Sequence, residues 1–216
     1  GTRKNSIDLS FAARGKRVAK RIFCEKLKMV NVFIDGKEGT TGLQIFERLG
    51  KRNDVSIVTL PEELRKDPAA RKECINGADI VFLCLPDAAA RESVSLCENE
   101  RVRILDASTA HRTNPAWAYG FPELSKEHRR RIAEGKRVAV PGCHASGFIS
   151  LVYPLIAGGI IAPDYPLVCH SVTGYSGGGK KMIAEYESEG RSIALDSPRQ
   201  YALGQAHKHL PEMQAV

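Results

Sequence analysis

From Met29 onward, short apolar segments alternate along the chain with amphipathic ones. The apolar segments are rich in valine, isoleucine and leucine with few polar interruptions, which is typical of strands buried on both faces of a parallel sheet. The amphipathic segments between several of them predict covering helices. Strands are predicted at Val30–Asp35, Val55–Leu60, Ala78–Leu85, Val102–Asp106 and Arg137–Val140. The pattern indicates an α/β domain with a doubly wound, Rossmann-type sheet, whose ligand would lie across the carboxyl ends of the strands.

A second region begins after the fifth strand. Ala145–Ala157 predicts an apolar helix, in which Pro154 is expected to produce a kink. Leu167–Thr173 predicts a further strand, and a second glycine turn follows it. The chain therefore divides into a nucleotide-binding domain at 29–143 and part of a second domain at 144–216.

The positive charge of the chain is confined to residues 1–28, which hold nine lysines and arginines against two acids. Basic and acidic residues are equal in number from Met29 onward, so no nucleic-acid partner is indicated for the rest of the chain. The leader is either an arginine-rich transit peptide or vector-derived or read-through sequence ahead of a natural start at Met29, and the second interpretation is favoured. No apolar run is long enough to predict a membrane span.

The cysteines show no sign of a disulfide framework or a zinc site. They are Cys24, Cys74, Cys84, Cys97, Cys143 and Cys169, with no C-x-x-C pair and no Cys/His spacing that suits zinc. Cys84 lies inside a predicted strand, where a buried, reduced thiol is common. We therefore expect a reducing compartment, the cytoplasm, and no metal centre.

A glycine turn joins the first strand to an amphipathic helix at Leu43–Leu49. Its G-x-x-G-x-x-G pattern stands where a dinucleotide-binding fold needs a tight turn and a close approach of the backbone to a pyrophosphate. The phosphates would then lie at the helix N-terminus. A purely structural turn is the alternative. The candidate cofactor residues here are Gly36, Gly39, Thr40, Thr41 and Gly42.

The end of the second strand bears on the choice between NAD and NADP. An acidic residue there usually binds the ribose hydroxyls of NAD, whereas an NADP site accommodates a phosphate. Arg65 and Lys66 favour NADP, although Glu62 and Glu63 are close enough in sequence to bind the ribose hydroxyls of NAD. The two basic residues are also typical of a solvated helix face.

The segment Val138–Gly147 carries the main catalytic candidate. It predicts a buried strand, a Pro-Gly turn, Cys143, and small residues that open a long helix. A cysteine at a helix N-terminus meets unpaired backbone N–H groups that favour a thiolate. Such a thiolate can attack an electrophilic carbonyl, and the same N–H groups can hold the resulting oxyanion. The alternative is a small buried thiol at the end of a strand.

Polar residues that would face the same crevice follow the fourth strand. Ser108 and Thr109 at its carboxyl end are candidates for cofactor contact, and Arg112 could bind an anionic substrate group through two N–H bonds. A helix-capping Ser-Thr pair and a surface arginine are the alternatives.

Two further candidates lie in the second region. Gly174–Lys181 combines a glycine turn with two lysines ahead of a helix, or is simply a flexible corner. His207 and His209 are two residues apart on a segment expected to be extended, so both side chains would point to one side.

Taken together, these motifs resemble the N-acetyl-γ-glutamyl-phosphate reductase family of arginine biosynthesis, in its shorter, second type. The resemblance runs from Met29 to Met213 without a gap. Aspartate-semialdehyde dehydrogenase and phosphorylating glyceraldehyde-3-phosphate dehydrogenase are similar in architecture, but their cysteine turns and late histidine segments differ. The resemblance rests on Gly36–Gly42, Asp106–Arg112, Tyr119–Leu124, Pro141–Gly147, Gly174–Lys181 and His207–Glu212.

The resemblance implies an NADP-binding Rossmann domain followed by part of an α+β catalytic domain, in a homo-oligomer. It also implies that the Cys143 thiolate attacks a small-molecule acyl phosphate, that phosphate leaves, and that NADPH reduces the thioester to N-acetylglutamate semialdehyde. Either His207 or His209 would be the general base and acid. The other implied residues are Ser108, Thr109, Gly177 and Gly178 for the cofactor, and Arg112, Ser176 and Lys180 for the substrate.

The family normally continues beyond the point where this sequence stops, with further strands of the catalytic domain and a final helix. Two other functions therefore stay open. One is a nucleotide-binding fragment without catalysis, because the second domain would be incomplete. The other is a sister semialdehyde dehydrogenase with a different substrate, such as aspartate-semialdehyde dehydrogenase.

Overall fold

The computed structural model describes residues 29–36 and 40–216. The leader predicted for residues 1–28 lies outside the described residues, as do Gly39 and the side chain of Thr40. The described chain forms a sheet domain covered by helices, followed by a region of helices and irregular segments.

Within the described residues, six parallel strands form one sheet in the spatial order β2-β1-β3-β4-β6-β5. They are β1 (Val30–Asp35), β2 (Val55–Val58), β3 (Ile80–Leu83), β4 (Arg103–Asp106), β5 (Ala118–Tyr119) and β6 (Arg137–Ala139). The strand order reverses beside β1, which is the doubly wound arrangement. The predicted α/β, Rossmann-type fold is therefore confirmed. The short strand β5 has no counterpart among the predicted strands, because two residues show no periodicity.

Helices connect the strands and continue the chain after the sheet. They are α1 (Thr40–Leu49), α2 (Pro68–Gly77), α3 (Asp87–Ser95), α4 (Lys126–Glu134), α5 (Cys143–Ala157), α6 (Gly179–Glu187) and α7 (His209–Ala215). Side-chain oxygens cap α2 and α4: Asp67 accepts from the Ala70 N–H at 2.7 Å, and Ser125 accepts from the His128 N–H at 3.2 Å. No helix in the described part of the chain is long and apolar enough to cross a membrane.

The main core lies between the sheet and the helices that cover it. Ile75 of α2 packs there with strand residues, among them Val81 and Ile104, and all three are fully buried. A buried ion pair stands beside this core, where Arg71 Nη2 lies 3.1 Å from Asp35 Oδ2. The Ser93 hydroxyl donates to the same oxygen at 2.8 Å. These contacts fix the end of β1, where the first glycine turn begins.

A smaller apolar cluster joins the second region to the sheet. Tyr119 of β5 packs there against Ala145 and Ile149 of α5. Met213 and Val216, at the C-terminal end of the chain, pack against the same cluster. The position of α7 beside α5 therefore depends on a small set of contacts.

The prediction of a strand at Leu167–Thr173 is wrong. The segment is irregular, and Val172 is fully exposed, at 101% relative exposure. A strand needs a neighbour to pair its backbone N–H and C=O groups. No strand of the described chain lies paired with this segment. The residue types favour a strand, whereas the presence of a partner decides whether one forms.

Candidate active site

The carboxyl ends of the parallel strands lie along one edge of the sheet. Gly36 follows β1 there, and Asp87 follows β3 as the first residue of α3. Ser108 follows β4, and Cys143 follows β6. The candidates that lie far apart in the sequence are thus brought to the same edge by the strand pairing.

Gly36 opens the first glycine turn in a conformation that requires glycine. Its φ is +87°, and a Cβ there would collide with the carbonyl oxygen of Cys84. Helix α1 begins at Thr40, with Thr41 exposed and Gly42 buried in its first turn. A backbone without side-chain bulk that leads into a helix N-terminus fits the pyrophosphate of a dinucleotide.

Ser108 and Thr109 are each held by a carboxylate. Ser108 donates to Asp106 through its backbone N–H at 2.9 Å and its hydroxyl at 2.8 Å. Thr109 donates to Asp87 in the same two ways, at 3.0 and 2.5 Å. The loop after β4 is thereby tied to the ends of two neighbouring strands. Contact of these two residues with a cofactor stays a prediction.

His111 makes a second set of contacts that stabilises this loop. Its Nδ1 lies 2.6 Å from Asp106 Oδ2, and its ring stacks on Trp117 with the ring centroids 4.1 Å apart. All three side chains are buried. The pair of His111 and Asp106 therefore stabilises the loop that leads into Arg112.

Cys143 is the first residue of α5 and is exposed. Gly142 precedes it as the N-cap residue. The Gly142 carbonyl accepts both the backbone N–H and the hydroxyl of Ser146, at 2.7 and 2.8 Å. The structure thus has the predicted order of strand, turn, cysteine and helix, and the sulfur stands where the N–H groups of a helix of 15 residues lack partners in the helix.

Gly142 is in close contact with two side chains that come from other parts of the fold. A Cβ at Gly142 would collide with Nε2 of His209, and it would lie 2.6 Å from Nη1 of Arg112. The Nε2 edge of His209 therefore lies directly against the residue that precedes the sulfur. This contact joins the late histidine segment to the cysteine turn.

Glu212 ties the cysteine turn to α7. It is 1% exposed, and its Oε1 accepts from the Gly142 N–H and from the Tyr119 hydroxyl, both at 2.7 Å. Its Oε2 accepts from Arg112 Nη1 at 3.1 Å. Because Glu212 follows His209 by three residues on α7, one face of the helix presents both.

Arg112 is engaged inside the protein. Its Nε donates to the Val140 carbonyl at 2.9 Å and its Nη2 to the Ala107 carbonyl at 3.0 Å, in addition to the bond to Glu212. The side chain is 8% exposed. The guanidinium therefore holds the ends of β4 and β6 together, and its contact with a substrate stays a prediction.

His207 and His209 come together, but the extended segment expected for them is wrong. His209 is the first residue of α7. The two ring centroids are 4.6 Å apart, with the ring planes nearly perpendicular at 86°. The start of a helix, rather than the alternation of a strand, places the two rings beside each other.

A backbone contact decides the tautomer of His207. The His209 backbone N–H donates to Nδ1 of His207 at 3.2 Å. Because a backbone N–H can only donate, Nδ1 carries a lone pair, and the proton of neutral His207 is on Nε2. In His209, by contrast, Nδ1 is buried and has no hydrogen-bond partner among the described residues.

Burial favours the neutral form of both imidazoles. It lowers the pKa of His209 to about 4, and the nearby Glu212 carboxylate offsets this only in part. Burial also lowers the pKa of His207, and the neighbouring His144 lowers it further. A neutral imidazole can accept the proton of a thiol, whereas an imidazolium cannot.

His144 is a candidate that the predicted site does not include. Its ring centroid lies 5.8 Å from those of both His207 and His209, and its Nδ1 lies 2.5 Å from Ser171 Oγ. It adjoins the cysteine in the sequence, but a residue that follows a tight turn often points elsewhere, so this position alone does not predict a role. Three imidazoles thus gather beside the turn that carries Cys143, yet the described residues hold no group of three side chains placed to share a metal ion.

The second glycine turn is not part of this network. Ser176, Gly177 and Gly178 lie in a 3-10 turn, and Lys180 lies in the first turn of α6. All four are exposed, and none of them is hydrogen bonded to the residues around Cys143 within the described chain. Their contacts with cofactor and substrate stay predictions.

Two family models match the chain. Residues 48–132 match the model described as "Semialdehyde dehydrogenase, NAD binding domain", and residues 143–216 match "Semialdehyde dehydrogenase, dimerisation domain". This chain belongs to the semialdehyde dehydrogenase family. The sheet domain is accordingly the NAD(P)-binding domain of the family, and the second match begins at Cys143.

Relatives within the semialdehyde dehydrogenase family are named N-acetyl-gamma-glutamyl-phosphate reductase. The one from Chelativorans sp. (strain BNC1) is 53% identical over 182 residues, which are 84% of this chain and 58% of that protein. The one from Burkholderia ambifaria is 53% identical over 184 residues, or 85% and 58%. The resemblance seen in the motifs is confirmed. The chain spans about 58% of the length of these relatives.

Solved members of the semialdehyde dehydrogenase family share the fold. Aspartate semialdehyde dehydrogenase II from Vibrio cholerae, complexed with ASA, has a TM-score of 0.50 at 17% identity, covering 80% of this chain and 55% of that one. Aspartate semialdehyde dehydrogenase from Francisella tularensis has a TM-score of 0.53 at 15% identity, covering 77% and 53%. At these identities the likeness concerns the fold alone.

Proposed function

We propose that this chain carries the NADPH-dependent reduction of N-acetyl-γ-glutamyl phosphate to N-acetylglutamate semialdehyde, a step of arginine biosynthesis, through a thioester on Cys143. The observation that carries the proposal is the contact of His209 with Gly142, which brings an acid–base group beside a cysteine at a helix N-terminus. The names of the relatives supply the substrate.

Cys143 would be the nucleophile. Its sulfur forms a bond to the acyl carbon, and the bond from that carbon to the phosphate oxygen breaks, so that inorganic phosphate leaves with the electron pair. The first N–H groups of α5 would stabilise the oxyanion that forms in between. The attack divides one difficult reduction into two easier steps.

His209 would be the general base and acid. Its Nε2 lies against Gly142, and its pKa of about 4 keeps it neutral at neutral pH, so that it can take the thiol proton. Nδ1 of His207 already accepts a backbone N–H, and Nε2 carries the proton of that ring. We therefore assign His207 the role of an N–H donor toward a substrate oxygen.

The first glycine turn, with the loop at Ser108 and Thr109, would hold the cofactor, and Gly177 and Gly178 are proposed as a second contact. Bound NADPH would supply the hydride that reduces the thioester. The first N–H groups of α5 would stabilise the oxygen that becomes negative, because His209 has released its proton to solvent at neutral pH. When the C–S bond breaks and the semialdehyde leaves, the sulfur would depart as a thiolate and take up a proton again. Ser176, Lys180 and Arg112 are proposed as substrate contacts from the sequence.

NADP is proposed rather than NAD. Arg65 lies 2.5 Å from Glu62 in the turn that follows β2, so this acid already has a basic partner. Lys66 is exposed beside them and adds a second cation. Glu63 is exposed as well, so the segment has two acids and two cations, and Arg65 and Lys66 are the groups proposed to bind the phosphate of NADP.

A cytoplasmic homo-oligomer is part of the proposal. The five cysteines of the described residues are free thiols, which suits a reducing compartment. The second region exposes large apolar side chains, among them Leu151, Ile160 and Val168, and it matches the dimerisation model of the family. An exposed apolar surface of this kind supports burial against a second copy.

The reverse reaction tests the proposed function. The chain is mixed with NADP⁺, inorganic phosphate and N-acetylglutamate semialdehyde, and the formation of NADPH is followed by its absorbance. We expect turnover that falls by roughly 1000-fold or more in Cys143→Ser, because the nucleophile is lost. The matched control Cys169→Ser removes another exposed thiol and should keep the activity.

Two results would replace the proposal with an alternative. Binding of NADP⁺ without any turnover in the unmodified chain would favour a non-catalytic nucleotide-binding unit. A higher rate with aspartate semialdehyde than with N-acetylglutamate semialdehyde would favour a sister dehydrogenase.

A further inference from the structure

Tyr119 is a buried residue that the proposed reaction does not use. It is 7% exposed, lies on the short strand β5, and donates its hydroxyl to Glu212 at 2.7 Å. We propose that Tyr119 is a positioning residue of the active site, acting through Glu212 to hold Gly142, and with it Cys143, against His209. The inference rests on the function proposed above.

The position of the Tyr119 ring is set by the two elements on either side of the cysteine turn. On one side, Tyr119 is paired with Ala139 of β6, and the Gly120 N–H donates to the Ala139 carbonyl at 2.8 Å. On the other side, its ring packs against Ala145 and Ile149 of α5. The hydroxyl is therefore fixed relative to both ends of the turn.

The hydroxyl is the donor in this contact. Burial raises the pKa of Tyr119 well above its usual range, and the bond to Glu212 raises it further, so the group stays protonated. It donates to Oε1 of Glu212, the same oxygen that accepts the Gly142 N–H. Tyr119 and Gly142 thus hold one carboxylate oxygen between them, while Arg112 holds the other.

Loss of this hydroxyl would change the position of the Cys143 sulfur through two contacts of Glu212. Glu212 binds the N–H of Gly142, which is the N-cap residue directly before Cys143. Glu212 also shares a face of α7 with His209, whose Nε2 touches Gly142. A displacement of the carboxylate therefore changes the distance between the base and the nucleophile, and a shift of about 1 Å can lower a rate roughly 100-fold.

The test compares Tyr119→Phe with the matched control Tyr153→Phe. Tyr153 packs against the same apolar cluster, but its hydroxyl has no hydrogen-bond partner in the described part of the chain. Each variant is treated with iodoacetamide over a range of pH, and peptide mass spectrometry gives the alkylation rates of Cys143 and Cys169 in the same molecules. Both thiols are exposed, so the ratio of their rates cancels differences in reagent concentration.

We expect Cys143 to react faster than Cys169 in the unmodified chain, because the helix N-terminus and a neutral imidazole adjoin it. Tyr119→Phe should lower the ratio about tenfold and should lower kcat of the reverse reaction more than it changes KM. Tyr153→Phe should leave both unchanged. If Tyr119→Phe does not fold, Glu212→Gln weakens the same contact and should lower the ratio in the same way.

An unchanged ratio in a folded Tyr119→Phe, or an equal fall in Tyr153→Phe, would overturn the positioning role and leave only packing. The alkylation ratio does not depend on turnover. A chain without reductase activity whose ratio still falls in Tyr119→Phe would therefore contradict the proposed function and keep the positioning role.

Discussion

The sheet domain and the region after α5 differ in how far each buries its own side chains. The sheet domain has a continuous core in which Ile75, Val81 and Ile104 are fully buried, together with a buried ion pair. None of residues 150–208, all of which the structure describes, is buried. The second region thus contributes little core of its own.

Because of this difference, we expect stability and catalysis to depend on different parts of the chain. The free energy of unfolding should come mainly from the sheet domain, where apolar area is removed from water. The histidines of the proposed site belong to the C-terminal end, which is tied to the sheet through Glu212 and the apolar cluster around Tyr119. Matched substitutions in the two regions should therefore have unequal effects.

The largest difference is expected for the two arginines that form ion pairs in different surroundings. Arg71→Met removes a buried partner of Asp35 and should lower the free energy of unfolding by about 3–5 kcal/mol, because a buried carboxylate is left unpaired. Arg199→Met breaks an exposed pair with Glu185 and should cause no measurable change. Urea unfolding of both variants measures this, and equal losses would contradict the comparison.

Two isoleucines give the next contrast. Ile104 is 0% exposed and Ile193 is 85% exposed. Ile104→Ala should lower the free energy of unfolding by about 2–5 kcal/mol, because it leaves a cavity in the core. Ile193→Ala should stay within about 0.5 kcal/mol of the unmodified chain. A loss at Ile193 as large as the one at Ile104 would show that the second region has a core of its own.

Two glycines with positive φ sharpen the comparison further. Gly190→Ala meets no neighbouring atom and should lower the free energy of unfolding by about 1–2 kcal/mol from backbone strain alone. Gly36→Ala has the same kind of strain and also a collision with the Cys84 carbonyl, so its loss should be larger. Only Gly36→Ala should weaken NADPH binding, measured by titration calorimetry. Equal affinities in the two variants would argue against a cofactor at the first turn.

The last contrast concerns pH. The pKa of His209 is about 4 in the folded chain and near 6.5 when the residue is exposed, so the unfolded chain takes up a proton first as the pH falls. Stability should therefore decrease between about pH 6.5 and 4, and less steeply in His209→Asn. In His209→Asn the dependence of stability on pH should become weaker but not vanish, since the pKa values of His207 and His128 are also lowered. Identical slopes for variant and unmodified chain would contradict the burial of His209.

Much of the sheet domain could be predicted, because strands buried on both faces leave continuous apolar segments. Val30–Asp35 has the predicted bounds, and Cys143 begins the helix that its small neighbours indicate. The strand predicted at Leu167–Thr173 does not form, because a strand depends on a pairing partner that the local sequence does not contain.

The residues that hold the site in place could not be predicted from the sequence. Glu212 and Tyr119 are 93 residues apart, and neither stands in a pattern that predicts burial of a carboxylate. Arg112 is predicted as a substrate ligand because its chemistry suits an anion, and its pairing with Glu212 is a contact that the sequence does not indicate. The tautomer of His207 depends on one backbone N–H, which only the start of α7 brings into reach.

If Cys143 accepts the acyl group, the acylated protein can be trapped when the hydride donor is left out. The chain is mixed with N-acetyl-γ-glutamyl phosphate in the absence of cofactor, and the peptides are examined by mass spectrometry while released phosphate is measured. We expect an N-acetylglutamyl group on Cys143, an equal amount of phosphate above that from spontaneous hydrolysis, and no acyl group or additional phosphate in Cys143→Ser. An acyl group on Cys169 instead, or phosphate release above the spontaneous rate that survives Cys143→Ser, would contradict the role of Cys143.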